Sequence, residues 1–167
     1  VLEQHRSWPA VAAAYSGALG MAGDPQRCAS LFDAAEERAV SDTDLAVVLP
    51  FAYFAVGRVD ELARRSAIAD RLLAVADRLD APTAHFEARH LQFSCAMQIA
   101  DGQLLRRSHR EMEALVSRTG STGRRWAVAY QRAAIAHLDD DLETAEHEAE
   151  VALGIFAGVS PSRALAA

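Results

Sequence analysis

The stretch Arg124–Phe156, RRWAVAYQRAAIAHLDDDLETAEHEAEVALGIF, decides the fold. Its first half is apolar nearly all the way round a helix: Trp126, Val128, Tyr130, Ala134, Ile135 and Leu138. Its second half is apolar on one face, with Leu142, Ala145, Ala149, Ala152, Leu153 and Phe156 at helical spacing. Asp139, Asp140 and Asp141 part the halves, and one of them caps the second helix. A helix without a polar face must be covered on several sides, and a one-sided neighbour covers only one of them. The pair therefore needs further pairs beside it.

Working outward, the same alternation recurs with a period of about forty residues. A first helix is expected from Trp8 to Met21, with Pro9 in its first turn and Gly20 and Gly23 ending it. Asp24 and Pro25 then open a helix at N-cap and N1, carrying Cys28, Leu31, Phe32, Ala35 and Ala39 on one face. The next runs to Val56, capped by Ser41 or Asp42, kinked at Pro50 and stopped by Gly57. Its β-branched run admits a strand; the caps and the repeat favour a helix. Asp60 is expected to cap the helix from Glu61 to Leu79, with Ile68, Leu72, Val75, Ala76 and Leu79 inward and Arg64, Arg65, Arg71 and Arg78 outward.

Asp80-Ala81-Pro82 breaks the chain, and Thr83 caps a helix with Phe86, Leu91, Phe93, Met97 and Ile99 around it. The partner helix follows Asp101-Gly102, carries Leu105, Met112, Leu115 and Val116, and ends with its pair at Gly120 and Gly123. The last helix ends at Gly158, Ser160 and Pro161. A four-helix bundle would make every helix similarly amphipathic, which this alternation excludes. The expectation is one all-α helical-repeat domain over residues 1–167, with about eight antiparallel helices in four pairs stacked as a solenoid.

At 167 residues, with 51% apolar and 24% charged residues, the chain can bury a core without metals or disulfides. A net charge of −6 disfavours direct binding to nucleic acid or anionic membranes. All 17 basic residues are Arg, so neither a P-loop lysine nor a Schiff-base lysine is present. Cys28 and Cys95 form no CxxC pair and point to a reducing, cytoplasmic setting. The longest apolar run, Leu45 to Val56, is too short to span a bilayer. The opening Val-Leu-Glu-Gln carries no visible signal peptide. That opening and the abrupt end suggest a fragment of a larger multidomain protein.

Candidate chemistry is sparse. Asp139, Asp141, Glu143 and Glu150 fall at calcium-loop spacing, but Thr144 stands where the loop needs Gly, so helix capping is the better reading. His85 and His90 do not share a helix face, His109-Arg110-Glu111-Met112-Glu113 is not HExxH, and His147 lies on a Glu-rich face. Paired carboxylates such as Glu36-Glu37 sit on solvent faces. No GxSxG occurs. No catalytic residue, metal or cofactor is therefore assigned. The Arg pairs Arg64-Arg65, Arg106-Arg107 and Arg124-Arg125 read as solvated faces and salt bridges rather than phosphate sites. The candidate partner-binding residues are polar or aromatic residues on the apolar helices: Tyr53, Arg89, Gln92, Trp126, Tyr130, Gln131 and Arg132. Polar groups in such places need partners, either a bound peptide or small effector or a neighbouring helix.

The turn Gly57-Arg58-Val59-Asp60-Glu61-Leu62-Ala63, the similar Asp140-Asp141-Leu142-Glu143-Thr144-Ala145-Glu146, and close-packing Ala145, Ala149 and Ala152 resemble tetratricopeptide repeats. The segment from Arg125-Trp126 to Phe156 most resembles helical repeats of large actinobacterial ATPase regulators of the LuxR type and relatives fused to nucleotide cyclases. The resemblance covers Asp60 to Phe156. The repeat is longer than the standard tetratricopeptide and lacks its Trp-Leu-Gly-Tyr pattern.

The resemblance implies a right-handed tetratricopeptide-like solenoid. It would be a non-catalytic protein-interaction or effector-sensing module of a bacterial transcriptional or signalling regulator. A protein, a peptide or a small effector would occupy its groove. Such regulators carry an ATPase module before the repeats and a helix-turn-helix after them, and this segment shows neither. Two rivals stand beside this reading. One is an oligomerisation scaffold, a homodimer through the end helices Trp8 to Met21 and Asp141 to Phe156. The other is a small-ligand-binding helical domain with a closed pocket at Tyr53, Trp126 or Tyr130.

Overall fold

In a computed structural model, residues 5–56 and 59–159 are described. They are all-helical, with no strand among them. The helices are α1 (Trp8–Met21), α2 (Pro25–Arg38), α3 (Asp42–Val48), α4 (Ala52–Ala55), α5 (Leu62–Leu79), α6 (Pro82–Ile99), α7 (Gly102–Thr119), α8 (Thr122–Leu138) and α9 (Leu142–Val159). Short 3-10 turns at Leu49–Phe51 and Val59–Glu61 join α3 to α4 and lead into α5. The chain divides into two compact units, one ending at Leu105 and one beginning at Arg106. Among the described residues no helix is long and apolar enough to cross a membrane.

In the first unit α1 packs on α2, α5 on α6, and α3 on both α1 and α5. Phe32, Val48, Leu49, Leu72, Val75 and Leu91 fill its core. Local chemistry sets the helix starts. The Asp24 carboxylate accepts the Arg27 N–H, and Ser41 and Asp44 form a reciprocal capping box at the start of α3. Pro50 has no N–H to donate, and the helix tightens into the 3-10 turn there before resuming as α4.

Several local expectations need correction. Gly20 does not end α1. A Cβ there would stand 2.9 Å from the Phe54 Cβ and 3.2 Å from the Cys28 Sγ, and one at Gly17 would stand 2.8 Å from the Phe51 ring. Both glycines serve close helix approach, and the left-handed residue after the helix is Gly23, at φ 80°. Pro82 takes N1 of α6 after Ala81, displacing Thr83 from the cap, because proline suits that position. Asp60 lies in the 3-10 turn, and Glu61 occupies the N-cap of α5 without a side-chain bond. Arg65 faces inward, 2% exposed: Nε donates to the Val56 carbonyl at 2.6 Å and Nη1 to the Ser94 hydroxyl at 3.0 Å. The carbonyl just past α4 has no helical N–H ahead of it, and a guanidinium supplies one.

In the second unit α8 packs on α9, with Ala127, Val128, Ala129, Ala136 and Ala152 buried. Ser121 caps α8, so Gly123 lies inside the helix and Gly120 alone takes the left-handed turn, at φ 61°. The acidic stretch before α9 is a cap: the Asp141 carboxylate accepts the Thr144 N–H at 3.1 Å. The α9 stripe is only partly used. Ala152 is buried while Leu142, Leu153 and Phe156 are exposed. Gly158 lies inside α9; Gly57, Ser160 and Pro161 fall outside the described residues.

Candidate functional site

A recess of about 930 Å³ opens on the first unit between α2, α4 and the turn before α5. Ala29, Phe54 and Ala55 give it an apolar lining, and Asp33, Asp60 and Glu61 stand on its rim. Phe54 packs on α1, its Cβ admitted by Gly20 and a ring edge close to Gly17, and its ring stands edge-on to Tyr53 at 5.2 Å. Asp33 is held by Arg64 at 2.5 Å, and Arg64 also reaches Glu36 at 3.2 Å. Burial works against the Arg64 charge, yet the bonds to Asp33 and Glu36 raise its pKa above the ordinary guanidinium value. Asp33 and Glu61 thus set carboxylates beside the apolar lining.

The seven residues singled out from the sequence fall in both units, and none lines this recess. In the first unit Tyr53 lies tilted against His90, with ring centroids 4.9 Å apart, and Phe86 meets His90 edge-on. Burial lowers the His90 pKa to about 4. Arg89 donates to the Gln92 carbonyl oxygen at 2.7 Å, and Gln92 donates to Asp70 at 3.1 Å.

In the second unit Trp126 stacks on Tyr130, rings 10° apart, and touches Phe156. Gln131 is fully buried, its Oε1 3.5 Å from the His109 Nδ1 and its Nε2 without a partner. Arg132 clamps two helices: Nη2 donates to Glu113 at 2.6 Å and Nη1 to Glu148 at 2.9 Å. Those bonds raise the Arg132 pKa. Arg89, Gln92 and Arg132 thus find partners inside their own unit, while the Gln131 Nε2 does not.

The recess residues escaped sequence reading because Asp33 and Ala29 look like an ordinary helix surface. The available signal was Phe54 beside Tyr53, with small Gly17 and Gly20 upstream to receive the aromatics. Among the described residues no group of three or more His, Cys, Asp or Glu is placed to hold a metal ion. Cys28 and Cys95 are free and buried, and burial raises both thiol pKa values. No protein-family model matches the chain, nor does any curated protein or solved structure.

Proposed function

We propose that this chain is a non-catalytic, tetratricopeptide-like module. Its antiparallel helix pairs stack as a right-handed solenoid, and it serves a cytoplasmic bacterial transcriptional or signalling regulator by holding a protein segment. The observation that carries this reading is the recess over Phe54. An apolar floor beside the carboxylates of Asp33 and Glu61 suits a short peptide with an apolar side chain flanked by arginine or lysine. Occupation would bias the pose of attached modules by favouring one arrangement over another.

The test is fluorescence anisotropy with two labelled peptides of one length, one with leucine between arginines and one with leucine between glutamates. The cationic peptide should bind and weaken with salt, and the anionic one should not bind. Phe54→Ala keeps the Cβ that packs on Gly20 and removes the ring, and it should weaken binding about tenfold or more. Equal binding of both peptides, or none by either, defeats the peptide reading. The regulator assignment is checked by the coding sequence flanking this segment, which should encode a P-loop ATPase upstream or a helix-turn-helix downstream.

A further inference from the structure

Two apolar faces of the described chain stand open to solvent. The first is on α1, WPAVAAAYSGALGM, which has no charged residue at all. One side of it packs in the first unit through Ala12, Ala13, Ser16 and Leu19. The other presents Val11, 63% exposed, and Tyr15 one turn further on, with Met21, 72% exposed, at the helix end. A helix apolar on all sides is ordinarily covered on all sides. At the edge of this face Tyr15 and Leu19 meet Leu31 of α2 around a nearly apolar recess of about 330 Å³, with Arg27 on its rim. Arg27 is well exposed, tied only loosely to Asp24 at 3.4 Å.

The second face is on α9. Leu142, Leu153 (67% exposed) and Phe156 form its stripe, with Glu146 and Glu150 next to them on the helical net, both exposed. Its chemistry is the converse of the first: protruding apolar side chains bordered by carboxylates, against an apolar recess bordered by a guanidinium.

We propose that the α9 stripe of one copy docks on the α1–α2 face of a second copy, with Leu153 entering the recess at Tyr15, Leu19 and Leu31, and the Glu146–Glu150 edge meeting Arg27. Like-with-like pairing is disfavoured on both sides. Two α9 stripes would set glutamates against glutamates, and two α1 faces would set recess against recess. The contact is therefore heterologous. Each pair keeps one free face of each kind, so growth continues with concentration unless the rotation closes a ring. The Phe54 recess borders this one at Ser30 of α2, but Phe54 is not part of the α1–α2 recess, so Phe54→Ala tests the peptide reading while Leu153→Glu and Tyr15→Glu test the assembly, and the two failures are distinguishable.

Sedimentation velocity of the whole chain over a hundredfold concentration range tests this. The expected record is a mean sedimentation coefficient that climbs past the dimer or settles at a closed ring. Leu153→Glu and Tyr15→Glu both change exposed side chains, and circular dichroism confirms that each variant stays folded. Each alone should be monomeric. Mixed together, they should form a one-to-one heterodimer and stop, because one intact face of each kind remains. Arg27→Glu should weaken association about tenfold, and adding Glu146→Arg and Glu150→Arg should restore it. A wild-type chain that stays monomeric throughout overturns the proposal. So does a dimer that survives in either single variant, since that contact would be symmetric, and so does a mixture of the two variants that fails to pair.

Discussion

Protonation of the buried His90 works against the fold of the first unit. It packs against Tyr53 and Phe86, and burial moves its pKa from 6.5 to about 4. Between those values the unfolded chain binds the proton that the folded chain refuses, so stability falls as pH drops and levels off below the folded value. From pH 6.5 to about pH 5, before most carboxylates titrate, the loss should reach about 2 kcal/mol. Urea midpoints across that range should show the slope in the wild type and a flatter line in His90→Gln; equal slopes would remove His90 as the source. Gly20 is the second residue-scale case. Gly→Ala inside a helix ordinarily gains about 1 kcal/mol, but here the added methyl meets the Phe54 Cβ at 2.9 Å. Overpacking costs about 1–3 kcal/mol, so Gly20→Ala should lower the melting temperature instead of raising it.

At the scale of elements, what is local was readable and what is distant was not. The start of α1, its stop at Gly23 and the start of α2 follow from Pro9, Gly23, Asp24 and Pro25, which act on their own turn of backbone. The tightening at Pro50 is equally local. Arg65 was misplaced because periodicity assigns it to a polar face, while the carbonyl it satisfies belongs to Val56, past the end of another helix. The Phe54 recess was invisible for the same reason, since it depends on a contact between Gly20 and Phe54 that no spacing rule encodes.

Helix ends also show a departure from preference. The backbone turns left-handed at Asp80, Ala100 and Asp140, none of them glycine. Ala100, at φ 55°, has no side-chain oxygen to compensate. Ala100→Gly should therefore raise stability by about 0.5–1 kcal/mol, read by thermal or urea unfolding.

For the molecule as a whole, the two compact units rest on different chemistry. The first is held by an aliphatic and aromatic core around Phe32, Leu49, Leu72 and Leu91. The second buries Met112 and Val128 with four alanines and the polar Ser108, His109 and Gln131, and carries the Arg132 clamp between Glu113 and Glu148. Glu148 is the more buried acid, so Arg132→Leu leaves it without its cation. With solvent screening the remaining ionic contacts, the expected loss is about 1 kcal/mol. Trp8 lies in the first unit, so in a Trp8→Phe background the Trp126 fluorescence midpoint in urea should move by that amount, and an unmoved midpoint would reduce the clamp to decoration.

The thiols have a different distribution. Both cysteines of the chain, Cys28 and Cys95, are buried in the first unit, and the second has none. Alkylation is therefore a clock wound by one half of the molecule alone. A thiol reagent will modify the native protein only as fast as the first unit breathes. The second may open and close at any rate without advancing the hand.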